Sequence, residues 1–459
     1  MQKSFHTILI NPSWVFQNGN IGAIPDLYPP LGLACVASAL RQIGYSVSIA
    51  DMPMLRMKEH SDDLLVEHIR PENPSVIGLT AVTMTYSTVV RLARRLRNEF
   101  PDAAIVVGGV HVNSCPDDVL REEAFDYSIA GQGELATQRL WQGLRAGQVG
   151  GDIPGVGYHR ADVPYRQPKQ DFDLGGFAPT AYDLFDIRKY RRGFKKMAVM
   201  TSRGCNARCV FCTSGYVLPR VKFLPVDRVL NELKYLVDEV GFKYINIYDS
   251  NFTYNKKRVH EICDKIIENN LKFKWRCFSK ANGVDFRLFD KMRAAGCTHV
   301  LFGVETAKDE TLKKIRKGNF RRHTEQAFRE ARRAGLCRIA YSIVGLPGES
   351  REDVLETIRF LENIDAEFNV VSPISLMPGT PLHDDMNEFG MVVTEENWER
   401  GSRGEVTATN GLLSEEEINE LVNIALERLN NGQYRYDWHK VVANDPSICP
   451  HAAMMAAVR

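Results

Sequence analysis

The first 145 residues alternate between short apolar runs and longer segments in which hydrophobic positions recur with a helical period. HTILINP (6–12) predicts a strand and PLGLACVASALRQIGY (30–45) a helix, and the alternation continues through SVSIAD, SVIGLT, STVVRLARRLRNEF, AIVVGG and DYSIAG. Strands and helices alternating with short connections are typical of an α/β fold with a doubly wound parallel sheet. The polar turns after these strands therefore gather at the carboxyl edge of the sheet, where such folds bind ligands.

A second series of alternating elements occupies residues 196–384. After MAVMTS (197–202) come the predicted strands YINIYD, FKWRCFSK, HVLFGVE, RIAYSIVG and FNVVSPISL, separated by amphipathic helices. Six strands, each followed by a helix, predict a partial (β/α)6 barrel or an open curved sheet. In barrels of this kind chemistry takes place at the carboxyl ends of the strands. Residues 146–195, rich in Pro, Gly and Asp, predict an ordered linker with a small hairpin, and residues 385–459 predict a small helical C-terminal extension.

Charge and composition narrow the class of partner. The chain has 459 residues and a net charge of +1 from 58 basic and 57 acidic side chains, which predicts neither nucleic-acid nor membrane-surface binding. The apolar run near the start is too short for an export signal, and no stretch reaches the roughly 18 apolar residues of a membrane span. With ten cysteines and no export signal, a reducing cytoplasmic location and a small-molecule substrate are expected.

Three of the ten cysteines, Cys205, Cys209 and Cys212, are clustered directly after MAVMTS. Three thiolates on one loop can hold three irons of a [4Fe-4S] cube and leave the fourth iron open to an outside ligand. A zinc site needs a fourth Cys or His nearby, and the candidate before Cys263 is His260, inside a predicted helix. A chance grouping of buried cysteines is the remaining alternative. An electron carrier would close all four cluster positions, which this loop does not.

The Cys-x3-Cys-x2-Cys loop, with Phe211 before its last cysteine, resembles the radical S-adenosylmethionine (SAM) superfamily. The resemblance implies that SAM binds the open iron and that an electron, delivered by a donor such as flavodoxin or ferredoxin, releases a 5′-deoxyadenosyl radical. It also implies cofactor contacts from residues at the strand ends: Phe211, Asp249, Ser250, Ser279, Lys280, Glu305 and Ser342. Lys280 stands where the family usually has Arg. Lysine keeps the positive charge but cannot make the two parallel hydrogen bonds that a guanidinium makes with a carboxylate. Asp249 and Glu305 are also suited to helix capping or to pairing with Lys.

Residues 6–140 resemble the cobalamin-binding domain that precedes the barrel in one large radical SAM subfamily. The matching pieces are INP, YPPLGL, GLTAVTMTY, VVGGVH and AGQGE. The Asp-x-His-x-x-Gly signature that supplies a cobalt-ligating histidine elsewhere is absent from this sequence. His111 is the lone imidazole of the matching turns, and a loop histidine is more often hydrogen-bonded than metal-bound. The domain is therefore either a cobalamin site or a fold that holds no corrin.

Two reactions remain open at this point. The length of the chain and Tyr216, four positions beyond Cys212, resemble radical SAM dehydratases of antibiotic biosynthesis. That resemblance implies removal of the 3′-hydroxyl from an aminosugar such as paromamine, a lyase reaction in which Tyr216 gives a hydrogen atom or proton to the substrate radical. The alternative is cobalamin-dependent methyl transfer to an unactivated carbon. Tyr216 is equally suited to packing with its hydroxyl on a backbone carbonyl.

Overall fold

The computed structural model of the chain describes residues 5–13, 28–55, 57, 61–148, 153–160, 163–166, 173–194, 196–394 and 405–431. The chain divides into two compact units, an N-terminal unit that ends at Tyr190 and a C-terminal unit that begins at Arg191.

The N-terminal unit is a parallel α/β sheet extended by an antiparallel hairpin. Its strands and helices are β1 (His6–Asn11), α1 (Leu31–Gln42), β2 (Ser46–Asp51), α2 (Asp62–Ile69), β3 (Val76–Thr80), α3 (Tyr86–Glu99), β4 (Ala104–Gly108), α4 (Val110–Ser114), α5 (Pro116–Leu120), β5 (Tyr127–Ile129), α6 (Gly133–Ala146), β6 (Val156–Arg160) and β7 (Val163–Arg166). The strand order is β2-β1-β3-β4-β5-β6-β7, and the first five strands are parallel. The order reverses between β1 and β3, the position at which such sheets bind ligands.

Alternation along the strands builds a separate core on each face of this sheet. Ile8 and Ile10 face a core completed by α2 and α3, whereas Leu9 faces a core completed by α1 and α6. Helices on both faces confirm the doubly wound prediction. The predicted hairpin of the linker region is β6–β7, which pairs antiparallel with β5 and adds two strands to the parallel sheet.

The C-terminal unit repeats the strand–helix alternation six times. Its elements are α7 (Ile187–Phe194, which begins in the N-terminal unit), β8 (Lys196–Val199), β9 (Ser202–Arg203), α8 (Ser214–Val217), β10 (Lys222–Phe223), α9 (Val226–Lys234), β11 (Tyr244–Ile247), α10 (Lys256–Glu268), β12 (Lys274–Ser279), α11 (Phe286–Ala294), β13 (Cys297–Glu305), α12 (Asp309–Lys314), α13 (Arg321–Arg333), β14 (Cys337–Val344), α14 (Arg351–Ile364), β15 (Phe368–Pro373), α15 (Pro381–Asp384), α16 (Met386–Phe389), β16 (Val392–Val393), β17 (Ala408–Thr409) and α17 (Glu415–Asn430).

The main sheet of this unit contains six parallel strands in the order β15-β14-β13-β12-β11-β8, which is the order of the chain. Helices cover one face, where Phe302 of β13 contacts Phe289 of α11 and Phe328 of α13. The parallel order places the ends of all six strands at one edge, as the partial barrel prediction requires.

The helix α17 closes the described part of the C-terminal extension. It begins with a capping box formed by Ser414 and Glu417, and it packs against α14 and β15. The amide of Asn430 makes two hydrogen bonds with the backbone of Asn369 on β15. The rest of the predicted helical extension, residues 432–459 with Cys449, lies outside the described residues. Within the described ranges, no helix combines the length and the apolarity needed to cross a membrane.

Candidate functional site

The cysteine loop begins at Cys205, directly after β9, and wraps around the short helix α8. Arg208 donates a hydrogen bond to the carbonyl of Gly215 in α8 (2.7 Å). A Cβ atom at Gly215 would lie 2.0 Å from the carbonyl oxygen of Ala207, so only glycine allows the helix to approach the loop this closely. The loop is therefore held against α8 by a side-chain hydrogen bond and by close backbone packing. Its three thiols form no disulfide bonds.

The thiols of the loop are buried close to cationic side chains. Cys205 and Cys209 are buried and Cys212 is half-buried. Burial raises the pKa of the Cys209 thiol, and the ammonium groups of Lys317 and Lys280 act in the opposite direction, toward the thiolate. Nearby positive charge favours thiolate ligands.

The donor set of the loop has the number and kind of ligands that a [4Fe-4S] cube with one open iron takes. Among the described residues, no three His, Cys, Asp or Glu side chains converge as the ligands of one metal ion. A [4Fe-4S] cube holds its thiolates apart by its own width, and three cysteines on one loop are the ligand number that leaves one iron open. Cys205, Cys209 and Cys212 therefore fit the predicted cluster.

Asp249 lies at the end of β11 and holds the chain segment that leads into the cysteine loop. Its carboxylate accepts hydrogen bonds from the backbone N–H and the hydroxyl of Thr201 (2.7 and 2.6 Å) and of Ser202 (3.0 and 2.7 Å). The residue is 2% exposed, and burial raises the pKa of the carboxyl while these hydrogen bonds lower it. Asp249 thus binds the loop entry. Its predicted contact with the amino group of SAM stays a prediction.

Glu305 and Lys317 form a buried ion pair near the thiols. Their side chains are 8% and 9% exposed, and Glu305 has a left-handed backbone with φ of 64°. A Cβ atom at Gly303 would lie 2.5 Å from both charged groups, so a side chain there would displace the pair from its present position. Lys280 donates from Nζ to the carbonyl of Lys317 (2.6 Å), and burial lowers its pKa. Two of the predicted cofactor residues, Glu305 and Lys280, are thus brought together by Lys317.

The three predicted serines have different surroundings. Ser250 is exposed, whereas Ser279 is buried and shares a hydrogen bond with Thr253 (2.6 Å). Ser342 is paired in register with Glu305, and its buried hydroxyl has no hydrogen-bond partner among the described residues. The side-chain amide of Asn319, two residues after Lys317, is also buried and lacks a partner among the described residues. Buried polar atoms without partners are unusual and fit a missing ligand.

Phe211 precedes Cys212, the last cysteine of the loop, and Tyr216 follows it. Phe211 packs against the apolar cluster that contains Val210 and Leu346. Tyr216, in α8, is half-buried and donates its hydroxyl to the carbonyl oxygen of Arg208 (2.9 Å), while the Arg208 guanidinium lies over its ring (5.6 Å). This is the packing arrangement with the hydroxyl on a backbone carbonyl, and a role of Tyr216 as a donor to a substrate radical stays a prediction.

The carboxyl edge of the N-terminal sheet has a close contact between two turns. Gly109 follows β4 with φ of 119°, and a Cβ atom there would lie 2.4 Å from the carbonyl oxygen of Ala81. His111, two residues later, stacks on Tyr86 (3.9 Å between ring centroids), and its Nδ1 lies 3.3 Å from the hydroxyl of Thr83. Burial lowers the pKa of His111 to about 4, and its buried Nε2 has no partner among the described residues.

Comparisons with known proteins agree with both units. Residues 18–140 match the B12 binding domain, and residues 199–361 match the radical SAM superfamily. An uncharacterized methyltransferase of Pyrococcus horikoshii is 32% identical over 380 residues, which cover 81% of each chain. The chain belongs to the radical SAM superfamily. This radical SAM protein is also 26% identical to the anaerobic magnesium-protoporphyrin IX monomethyl ester cyclase of a Synechocystis strain, over 74% of this chain and 69% of the cyclase.

Among solved structures, this radical SAM protein is similar to the radical SAM methyltransferase TsrM of Kitasatospora setae, whose structure holds cobalamin and a [4Fe-4S] cluster. The TM-score is 0.76 with 20% sequence identity, covering 93% of this chain and 88% of TsrM, which supports the fold. The predicted family, fold and radical SAM cofactors, the cluster and SAM, are confirmed. The relatives named as methyltransferases favour methyl transfer, the alternative reading, over the dehydration that Tyr216 favoured in the sequence.

Sequence reasoning missed two residues of this site, Lys317 and Asn319. Both lie in the loop between α12 and α13, away from any strand end. Lys317 follows a helix that is rich in lysine, so its position carried no local signal that distinguished it from a solvated side chain.

Proposed function

We propose that this protein is a cobalamin-dependent radical SAM methyltransferase that transfers a methyl group to a carbon of a small molecule. The observation that carries the proposal is the presence of a B12 binding domain and a radical SAM domain in one chain that is 32% identical, over 81% of its length, to a relative named a methyltransferase. Dehydration of an aminosugar has less support, because it rested on Tyr216, whose hydroxyl is engaged by the carbonyl of Arg208.

Cys205, Cys209 and Cys212 would hold the cluster, and Lys280 is suited to hold SAM. Nζ of Lys280 uses one donor on the carbonyl of Lys317, so two donors remain for a carboxylate. The hydroxyl of Ser342 is buried on the helix-covered face of β14, the face of Val344, so the structure gives no support to its predicted contact with adenosine. When bound, the cluster and SAM supply a radical that removes hydrogen from carbon, and cobalamin supplies the methyl group.

Other residues of the C-terminal unit fix this arrangement. Asp249 holds the entry of the cysteine loop through Thr201 and Ser202, and Arg258 donates to the carbonyl of Thr201 (3.0 Å). Lys317 is fixed by Glu305, so one positive charge stays close to the thiols. Side chains held in place in this way pre-organise a site before its cofactors bind.

The N-terminal unit offers a site for cobalamin at the carboxyl ends of β3 and β4, beside the position between β1 and β3 at which the strand order reverses. The glycine at position 109 lets the backbone of its turn approach Ala81 more closely than any side chain would allow. Next to it, the neutral ring of His111 and the hydroxyl of Thr83 supply polar groups in a buried setting. The site is compatible with a corrin whose cobalt receives no histidine from an Asp-x-His-x-x-Gly signature, since the chain has none.

The test is anaerobic reconstitution of the full chain with iron, sulfide and hydroxocobalamin, with dithionite in place of the flavodoxin or ferredoxin that we expect as the electron donor. A methyltransferase retains corrin at a ratio of about one per chain and converts SAM to S-adenosylhomocysteine when cobalamin is present. The variant with Cys205, Cys209 and Cys212 replaced by Ala serves as the control and should release no 5′-deoxyadenosine. Full 5′-deoxyadenosine release without retained corrin or S-adenosylhomocysteine would reject the proposal.

A further inference from the structure

A cavity lies at the amino ends of three neighbouring strands in the C-terminal unit. It has a volume of about 460 Å³ and is formed where α10 and α11 end and where β11, β12 and β13 begin. Because the strands are parallel, the cysteine loop and the strand ends considered for SAM lie at the opposite edge of the sheet. The cavity is therefore separate from the site described above, and we call it the basal cavity.

The charge of the basal cavity is strongly one-sided. Among the described residues that line it, four are basic and none is acidic. The basic residues are Lys243, Lys272, Lys274 and Arg293. The whole chain has 58 basic and 57 acidic residues, so four positive charges without a carboxylate depart clearly from its average. One sign of charge on a concave surface creates a local potential that attracts ions of the opposite sign.

None of these four cations has an acidic partner among the described residues. Two acids in the last turns of α10 are engaged elsewhere, since Asp264 pairs with Lys291 (2.6 Å) and Glu268 pairs with Lys265 (3.8 Å). The positive charge of the lining is therefore not neutralised by the neighbouring acids of the helix that forms one wall.

Two of the four cations, Lys274 and Arg293, are half-buried, whereas Lys243 and Lys272 are exposed. Burial lowers the pKa of Lys274, the nearby charge of Arg293 lowers it further, and no described carboxylate acts against these effects. Partial removal of a cation from water costs free energy unless an anion accompanies it. An anion in the cavity would supply that missing partner.

The two helix ends at the basal cavity account for only part of this charge. A helix C-terminus carries about half a negative charge, and both α10 and α11 end here. Carbonyls at the end of α10 are already capped by the backbone, because those of Ile266 and Ile267 accept hydrogen bonds from Leu271 (3.1 Å) and Asn270 (2.9 Å). Two helix ends therefore offset at most about one of the four positive charges.

Apolar side chains and the size of the basal cavity indicate a small organic ligand. Ile267 is 44% exposed, and the buried Leu271 and Phe273 also contribute to the lining. The volume falls within the roughly 300–1,000 Å³ of cavities that hold small molecules. A concave site of this size fits a compact anion better than the flat surface of a partner protein.

We propose that the basal cavity binds a small di- or triphosphate, held by its four cations. Ammonium and guanidinium groups both donate charge-assisted hydrogen bonds to phosphate oxygens. A terminal phosphate carries about 1.5 to 2 negative charges at pH 7, so a di- or triphosphate approaches the charge of the lining. The inference goes beyond the proposed methyl transfer and does not depend on it, because this ligand lies at the other end of the strands.

The experiment measures binding of three probes to the reconstituted full-length protein by anaerobic equilibrium dialysis. The probes are UDP, inorganic pyrophosphate and uncharged uridine. We expect UDP to bind at least about tenfold more tightly than uridine, because uridine cannot make the charge-assisted hydrogen bonds. Tighter binding of UDP than of pyrophosphate supports a phosphorylated organic ligand, and equal binding supports inorganic polyphosphate. Equal affinities for UDP and uridine would overturn the proposal.

Two variants locate UDP in the basal cavity. Lys274→Met keeps the aliphatic stem but removes a half-buried charge, and it should weaken UDP binding about tenfold. Lys272→Gln removes an exposed charge, with little consequence for folding, and should weaken binding about two- to fivefold. UDP should also raise the urea midpoint of the wild type but not that of Lys274→Met.

Lys257→Gln is the matched control for a general effect of charge. Lys257 is also exposed and lies at the start of α10, about 15 Å along the helix from Ile267, which exceeds the Debye length of about 8–10 Å. This variant should bind UDP as the wild type does. If Lys274→Met and Lys272→Gln keep the wild-type affinity, or if Lys257→Gln loses as much as Lys272→Gln, the basal cavity is not the site.

Discussion

The carboxylate of Glu305 and the ammonium group of Lys317 form an ion pair that is almost wholly buried, although they lie on different elements. Lys317 stays charged: burial lowers its pKa, but the charges of Glu305 and Cys209 outweigh that effect and raise it overall. The backbone of Glu305 is left-handed, and Gly303 has no side chain to obstruct the pair. The backbone of Glu305 is thus locally strained, and the ion pair that it forms keeps a positive charge beside the cysteine loop.

Breaking this pair from one side should destabilise the protein strongly. Glu305→Gln leaves the Lys317 charge buried and unpaired, which costs about 3–5 kcal/mol in the free energy of unfolding. The double variant Glu305→Gln/Lys317→Met should recover most of this loss, because no isolated charge remains. Urea unfolding of the full chain measures the free energy of unfolding of the single and the double variant. The exposed pair of Arg351 and Glu420 is the control, and Glu420→Gln should leave the urea midpoint unchanged.

Asp249 should be needed for the cysteine loop to capture iron. Asp249→Asn can accept hydrogen bonds at only one oxygen, so donors of Thr201 and Ser202 lose their partner, at a cost of about 1–3 kcal/mol. We expect fewer irons per chain after reconstitution. The control is Asp285→Ala, which removes the cap of α11, costs about 1 kcal/mol and leaves the iron content unchanged. Equal iron in both variants would show that the loop does not depend on Asp249.

Gly109 should be required for corrin retention. In Gly109→Ala the new Cβ atom would meet the backbone oxygen of Ala81 at 2.4 Å, and backbone cannot move aside as a side chain can. We expect the corrin-to-protein ratio, read from the visible spectrum, to fall to background. Gly147→Ala is the matched control, since Gly147 also has a positive φ but no atom within 4 Å of an added Cβ. Retention of corrin by Gly109→Ala would remove this turn from the proposed site.

His111 should make the N-terminal unit sensitive to acid. Burial lowers its pKa from 6.5 to about 4 against a smaller opposite effect of Asp118, so the folded chain binds fewer protons than the unfolded chain between these values. The stability from the neutral ring is fully present above pH 6.5 and is lost as the pH falls toward 4, by at most about 3 kcal/mol. His111→Gln should therefore narrow the difference in urea midpoint between pH 7 and pH 5. An unchanged difference would mean that His111 titrates normally.

Tyr216→Phe distinguishes the two reactions considered for this chain. The variant loses one hydrogen bond to the carbonyl of Arg208, worth about 1 kcal/mol, and methyl transfer predicts that iron content and cobalamin-dependent S-adenosylhomocysteine formation are retained. A donor role predicts instead that 5′-deoxyadenosine forms as in the wild type while product is lost. That second pattern would return dehydration to consideration.

The sequence predicted the features that depend on local order and on strand ends. The alternation of strands and helices indicated both sheets, and the spacing from Cys205 to Cys212 indicated the cluster loop. The strand ends could be assigned to one site because a parallel sheet brings all its carboxyl ends to one edge. The structure then gave different partners to the predicted residues. Asp249 binds Thr201 and Ser202, and Tyr216 binds Arg208, contacts that depend on how a loop folds back and leave no periodic signal.

The position of Lys317 was beyond reach for a related reason. Lys317 was missed because it lies in a loop after a lysine-rich helix. A buried lysine there is identified by its partner, Glu305, and not by its neighbours in the chain.

The amide of Asn430 occupies hydrogen-bonding positions on β15 that a seventh strand would take, with its oxygen on the N–H and its nitrogen on the C=O of Asn369. The edge strands of an incomplete barrel expose unpaired backbone N–H and C=O groups, and a strand of another chain can pair with them. Shortened forms that end before residue 430 should therefore associate with one another rather than simply unfold. We therefore expect the helix that carries Asn430 to protect the edge of β15 from pairing with another chain, so that six strands can stand without a seventh.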